Sequence, residues 1–201
     1  MRSARTSRPG TYRILLYQPE HQTRANVEIT AFHEVYPGHH VQISLAQELP
    51  AAHPVTHVVA NSAFIEGWGR YSEALAEEMG LYTSDAGRIQ RRMWPAHGMV
   101  LDPGIHVMGW TREQARDYAM ATGRFTERES DALVDRIAVW PGQLTAYDSG
   151  ALEIFALRER AQQTLGDKFD IRRFHECVLG HGSVTLPMLR EIVGHCMSGE
   201  G

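Results

Sequence analysis

The chain is short of most features that would place it at once. It has two cysteines in 201 residues, too few for a disulfide framework. Read as free thiols, Cys177 and Cys196 fit a reducing compartment. No apolar run approaches the roughly 20 residues needed to cross a bilayer, so no transmembrane segment is expected. The opening stretch, MRSARTSRPGTYRILLYQPEH, is basic, but ILLY is too short for the apolar core of a signal peptide. No targeting signal is visible; "cytoplasmic" describes only the chain as given, and no cellular location is assigned. A basic excess is missing too: Lys plus Arg is 20 against Asp plus Glu 24, a net charge of -4. Nucleic-acid binders normally show the opposite balance, and no nucleic-acid partner is expected. Strand-like runs are limited to YRILLY and HVVANS. Repeats, low-complexity tracts and interdomain linkers are all absent.

What remains is ordinary globular material with helical signals. Hydrophobic residues make up 43% and charged residues 22%, enough to build a core. The length fits one medium domain or a large fragment of a bigger one. The expected organisation is a single all-α domain over 1–201, with an irregular segment at 1–20, helices at 23–79 and supporting helices at 84–196. Pro37-Gly38 interrupts the first helical stretch, because proline lacks the amide donor and clashes with the preceding turn. Pro50 and Pro54 mark a loop. Asn61 or Ser62 is expected to cap a helix reaching Met79, with Gly80 as its stop. Another pattern starts at Ser84 and breaks near Trp94-Pro95. Thr111 with Gln114 and Thr126 with Glu129 read as capping arrangements. A long helix follows Pro141-Gly142 and ends at Leu165, before Gly166. Phe169–Leu179 and Leu186–Cys196 close the chain.

Histidine is the unusual residue. There are 11, and His33, His39 and His40 fall together in AFHEVYPGHHVQ. A His-Glu pair followed by another histidine is the core of zinc-hydrolase chemistry. Neutral imidazoles bind the metal, and the adjacent carboxylate can deprotonate a metal-bound water. The usual four-residue spacing puts both imidazoles on one helical face, but the fourth position after His33 is Pro37. On a straight helix a six-residue offset rises about 9 Å and turns about 600°, nearly to the opposite side. A seven-residue offset regains the face but rises about 10.5 Å. Sharing one ion therefore demands a local break, and Pro37-Gly38 supplies it; a two-residue bulge would return His39 to His33. Glu66, in FIEGWGRYSE on the next helix, is the candidate third ligand. Three protein ligands and an open position mark a catalytic rather than a structural zinc site. Glu73 shares the face of Glu66 and could orient a ligand imidazole. The plain alternatives are an exposed His39-His40 pair, a chance His33-Glu34 dipeptide and a buried helix-start carboxylate at Glu66.

These segments also carry a likeness. HEVYPGHHVQ followed by FIEGWGRYSEALAEEMG resembles the bacterial "domain of unknown function 885" family, placed among the zincin-like metallopeptidases. The resemblance continues through LDPGIHVMGWTREQARDYA, WPGQLTAYDSG and FDIRRFHECVLGHGSVTLPMLREIV, from about Pro9 to Val193. Family members are typically much longer and are often exported or lipoproteins. The resemblance implies a multi-helix gluzincin-type domain, the C-terminal half of a larger fold whose N-terminal half is missing. More distantly, the family is similar to gluzincin peptidases carrying His-Glu-x-Gly-His. Reading the same frame with two extra residues implies His39 rather than His40 as second ligand and leaves His40 to contact substrate or to hydrogen-bond a ligand.

The likeness further implicates Asp102, His106 and Tyr147. A tyrosine or histidine facing the metal would stabilise an oxyanion, and Asp102 would join Glu73 in orienting the ligands. On their own residues, Tyr147 also reads as a core residue with a satisfied hydroxyl, and His106 as a packed histidine. His175, His181 and His195 read as helix-end or turn residues without a role. Gly69-Arg70 and Asp148-Ser149 depart from the family's usual residues. The expected function is zinc-dependent hydrolysis of a peptide substrate with Glu34 as general base. The alternative is a truncated, non-catalytic helical domain that binds a metal or a partner. An absent half would expose apolar surface, which favours self-association.

Overall fold

The computed structural model describes residues 10–14, 19, 22–49, 60–93 and 96–198. Among them the regular elements are all helical: α1 (Arg24–Glu34), α2 (His39–Glu48), α3 (Ser62–Glu78), α4 (Asp85–Met93), α5 (Ala96–His106), α6 (Arg112–Ala121), α7 (Glu127–Val139), α8 (Gln143–Leu165), α9 (Ile171–Leu179) and α10 (Leu186–Ser198). Most boundaries follow from capping chemistry. Thr23, Asn61 and Asp170 accept amide hydrogens in the first turns of α1, α3 and α9. Thr111 with Gln114 and Thr126 with Glu129 form complete capping boxes. Gly142 enters α8 at φ 78° and Gly166 leaves it at φ 51°, a region open to glycine at little steric cost.

Two strand expectations fail among the described residues. Residues 12–14 of YRILLY have no regular structure, and 15–17 lie outside the described residues. In HVVANS, Asn61 caps α3 and Ser62 opens it, while 57–59 lie outside. The expected breaks at Pro50, Pro54 and Trp94-Pro95 also lie outside. One helix was not anticipated. α5 contains Pro103, and its register is set by packing: Leu101 is fully buried and Gly98 lies on Leu144 of α8. Tertiary burial overrides propensity there.

The core lies on α3 and α8. Gly67 and Gly150 meet backbone to backbone; a Cβ on Gly67 would stand 2.5 Å from the Gly150 Cα, and one on Gly150 would collide with the Ala63 carbonyl. Phe64, Trp68 and Tyr71 of α3 then pack with Ile154 and Leu157 of α8 and Phe174, Leu189 and Val193 of α9 and α10. Burying each such side chain contributes about 1.5–3 kcal/mol. A second cluster joins α5, α6, α7 and the start of α8 through Leu101, Ala115, Ala119, Val134, Ile137 and Leu144. A third packs Ile29 of α1 against Ala76 and Tyr82.

The two cysteines are not free. Cys177 of α9 and Cys196 of α10 form a disulfide with Cα atoms 5.9 Å apart. They stand 19 positions apart in the chain, and only the packing of α9 on α10 makes the pairing visible. The expectation of reduced thiols is thereby corrected.

Candidate metal centre

The break between α1 and α2 creates the site. α1 ends at Glu34, one residue beyond His33, and α2 begins at His39. The joint is thus a change of helix, not a two-residue bulge within one helix. Gly38 folds back onto the end of α1 so closely that a Cβ would collide with the His33 carbonyl. Trp68 donates its indole N–H to the Pro37 carbonyl at 3.0 Å, which pins the joint to α3. As a result the His33 and His39 rings meet edge to face, 4.5 Å between centroids.

α3 brings up the third group. Glu66 Oε2 lies 3.3 Å from His33 Nε2 and 3.3 Å from His39 Nε2. Zinc–ligand bonds of about 2.0–2.1 Å at tetrahedral angles put ligand atoms roughly 3.3 Å apart. The donor set, two imidazoles and a carboxylate, also suits zinc. His39 Nδ1 is buried without a hydrogen-bond partner. Glu34 stands beside the group; its carboxylate and the His33 and His39 nitrogens offer ligand atoms all within 4.8 Å of one another. Gly69 provides the slot for the His33 ring, since a Cβ there would lie 2.5 Å from the ring carbon.

Two of the three inner groups, His33 and Glu66, are held from behind. His33 Nδ1 hydrogen-bonds Glu73 Oε1 at 2.8 Å, and Arg70 pairs with the other Glu73 oxygen. Gln143 donates to Glu66 Oε1 at 3.1 Å and to the Tyr147 hydroxyl at 3.2 Å. Its own amide oxygen accepts from Arg136 at 2.7 Å, which fixes the orientation of the amide. Burial disfavours a charged His33, yet bonds to Glu66 and Glu73 outweigh it and raise its pKa to about 9. Burial also works against ionised Glu66, but the two histidines pull its pKa down to about 2. Burial pushes the Tyr147 hydroxyl up, so it keeps its proton.

The sequence candidates divide cleanly by place. His33, Glu34, His39, Glu66, Glu73 and Tyr147 share one neighbourhood; the Tyr147 ring lies 5.9 Å from that of His33. His40 is exposed and lines, with Glu34, His39, Thr11 and Arg13, a cleft of about 540 Å³. Asp102 accepts from the Gly142 amide at 3.0 Å and so anchors the start of α8. His106 meets the Ile137 carbonyl at 2.9 Å, in the second cluster, rather than any group of the centre. His175 is not at a helix end: it lies within α9, bonded to the Tyr71 hydroxyl at 2.8 Å and edge-on to Trp68. Gln143, Arg136 and Arg70 were missed. No motif flags a lone amide or arginine, and only helix packing reveals what they touch.

Comparison with known proteins adds the family. The family described as "Bacterial protein of unknown function (DUF885)" matches residues 2–193. The chain belongs to the DUF885 family. No curated protein matches it. Among solved structures, this DUF885 chain is similar to "the putative lipoprotein from Colwellia psychrerythraea", with 37% identity and a TM-score of 0.82 over 88% of this chain. It is also similar to "a putative lipoprotein of unknown function from Shewanella oneidensis", with 31% identity and a TM-score of 0.75 over 84% of this chain. In each case it spans 31% of the solved relative's length.

Proposed function

We propose that this DUF885 chain carries the zinc centre of a peptide hydrolase on a zincin-like helical frame. The observation that supports it most is the convergence of Glu66 Oε2 on both imidazole Nε2 atoms at 3.3 Å, with a carboxylate, Glu34, beside them but outside that triangle. His33, His39 and Glu66 would hold the ion. Zinc bound there would acidify a water molecule and polarise a substrate carbonyl. Glu34 takes a proton from the attacking water as its oxygen bonds to the carbonyl carbon. It then delivers that proton to the amine nitrogen as the carbon–nitrogen bond breaks. Tyr147 accepts hydrogens from Gln143 and, at 3.5 Å, from Arg136. Its own O–H is therefore free to donate to the oxygen that gains charge. His40, on the wall of the cleft, would contact the peptide.

A second reading is a helical metal- or partner-binding domain without turnover, since the same three ligand atoms would hold an ion whether or not a reaction follows. Purified protein should contain about one zinc per chain by elemental analysis and cleave a peptide library, with activity lost on chelation and restored by zinc. Glu34→Gln should keep the zinc and lose at least about 100-fold in hydrolysis. Stoichiometric zinc with no cleavage favours the second reading, and protein without zinc removes the hydrolase and leaves only partner binding.

A further inference from the structure

Behind the ligands lies a buried charge chain that the proposed reaction does not use. Glu73 is 1% exposed and Arg70 9% exposed. A carboxylate at that depth is tolerated only when its oxygens are satisfied. Glu73 Oε1 faces His33 Nδ1 at 2.8 Å, and Arg70 takes Oε2. Arg70 is itself fixed at its far side. It donates to the Arg91 carbonyl at 2.7 Å, and its Nε faces Asp148 Oδ1 of α8 at 3.6 Å. That Nε has no hydrogen bond, so Asp148 acts on it through charge. The guanidinium thus ties α3, α8 and the end of α4 to one carboxylate.

We propose that Arg70 is a positioning residue for the metal centre, holding Glu73 so that His33 keeps its Nε2 turned toward His39 and Glu66. The assignment rests on the metal-centre reading above. With Oε2 occupied, the carboxylate plane cannot rotate, and Oε1 stays as the acceptor for the Nδ1 hydrogen. A hydrogen on Nδ1 leaves the lone pair on Nε2, the nitrogen 3.3 Å from Glu66. A planar fork with several donors meets Glu73, the Arg91 carbonyl and Asp148 together; a lysine ammonium cannot reach all three. Residues 69 and 70 then act on one imidazole: Gly69 opens its slot and Arg70 fixes its partner.

The test measures zinc affinity by chelator competition, the visible spectrum of the cobalt-substituted protein, and the unfolding midpoint, for parent, Arg70→Met, Arg70→Lys and Asp148→Asn. Arg70→Met should weaken zinc binding about 10–100-fold and change the cobalt spectrum, and Arg70→Lys should recover part of both. Asp148→Asn, which leaves the Arg70–Glu73 pair in place, should weaken binding by less than Arg70→Met does. A folded Arg70→Met that binds zinc within twofold of parent, with an unchanged cobalt spectrum, overturns the proposal. A lowered midpoint with unchanged zinc affinity does so too, because it shows a purely structural role. If Arg70→Met does not fold, Arg70→Lys and Asp148→Asn decide: parental affinity and spectrum in both overturn it. A parent that binds no zinc sinks the metal-centre reading itself, a result distinct from a zinc-binding parent with indifferent variants.

Discussion

Adjacent histidines have different fates in this chain. His39, first residue of α2, faces Glu66, whereas His40 turns to the cleft and lies against Gly10. His39→Ala should lose stoichiometric zinc, and His40→Ala should keep it while weakening peptide binding; elemental analysis and KM measure the two effects. Equal zinc retention in both variants would refute the assignment. At this scale the grouping was legible: the imidazoles and carboxylates singled out by residue type, His33, Glu34, His39 and Glu66, lie together. Glu73 was legible too, since a seven-residue offset from Glu66 keeps it on the same helical face. Gln143 and Arg136 were not, because an amide and a surface arginine acquire meaning only from what lies opposite. His106 shows the converse: a motif position whose ring the fold gives to the Ile137 carbonyl.

Helix ends were the most readable elements. Thr23, Asn61, Thr111 and Thr126 cap where their hydrogen-bonding chemistry suggests, and Pro37-Gly38 marks the joint that builds the site. α5 was illegible because Pro103, with Gly98 and Gly104, argues against a helix, and burial against α6, α7 and α8 decides the outcome. The α9–α10 disulfide was illegible for a related reason: two cysteines 19 residues apart pair only after their helices pack. It closes a loop, and the conformational freedom this removes from the unfolded chain is worth about 3 kcal/mol. Reduction, or Cys177→Ser with Cys196→Ser, should therefore lower unfolding free energy by about 3 kcal/mol in urea titrations. An unchanged midpoint would mean that the packing of α9 on α10 suffices alone.

Across the molecule, buried titratable groups set a stability profile for the metal-stripped protein. His33 is raised from 6.5 to about 9, so its contribution is complete below pH 6.5 and is lost as pH rises through about 9. Burial lowers His175 from 6.5 to about 4; the unfolded chain takes up that proton first, and stability falls as pH drops from 6.5 toward 4. Glu66, lowered from 4.5 to about 2, adds a further loss as pH falls through about 2. Urea midpoints should peak near pH 6.5, and zinc should remove the alkaline decline because a ligand imidazole is already neutral. A flat profile from pH 6.5 to 9 in stripped protein would contradict the His33 environment. α2 buries only Gln42, so little apolar surface fastens it to the body, yet its first residue is a candidate ligand. An ion at the centre would act as a rivet through that helix, and deuterium uptake at the amides of 42–48 should slow when zinc is added and recover when it is withdrawn.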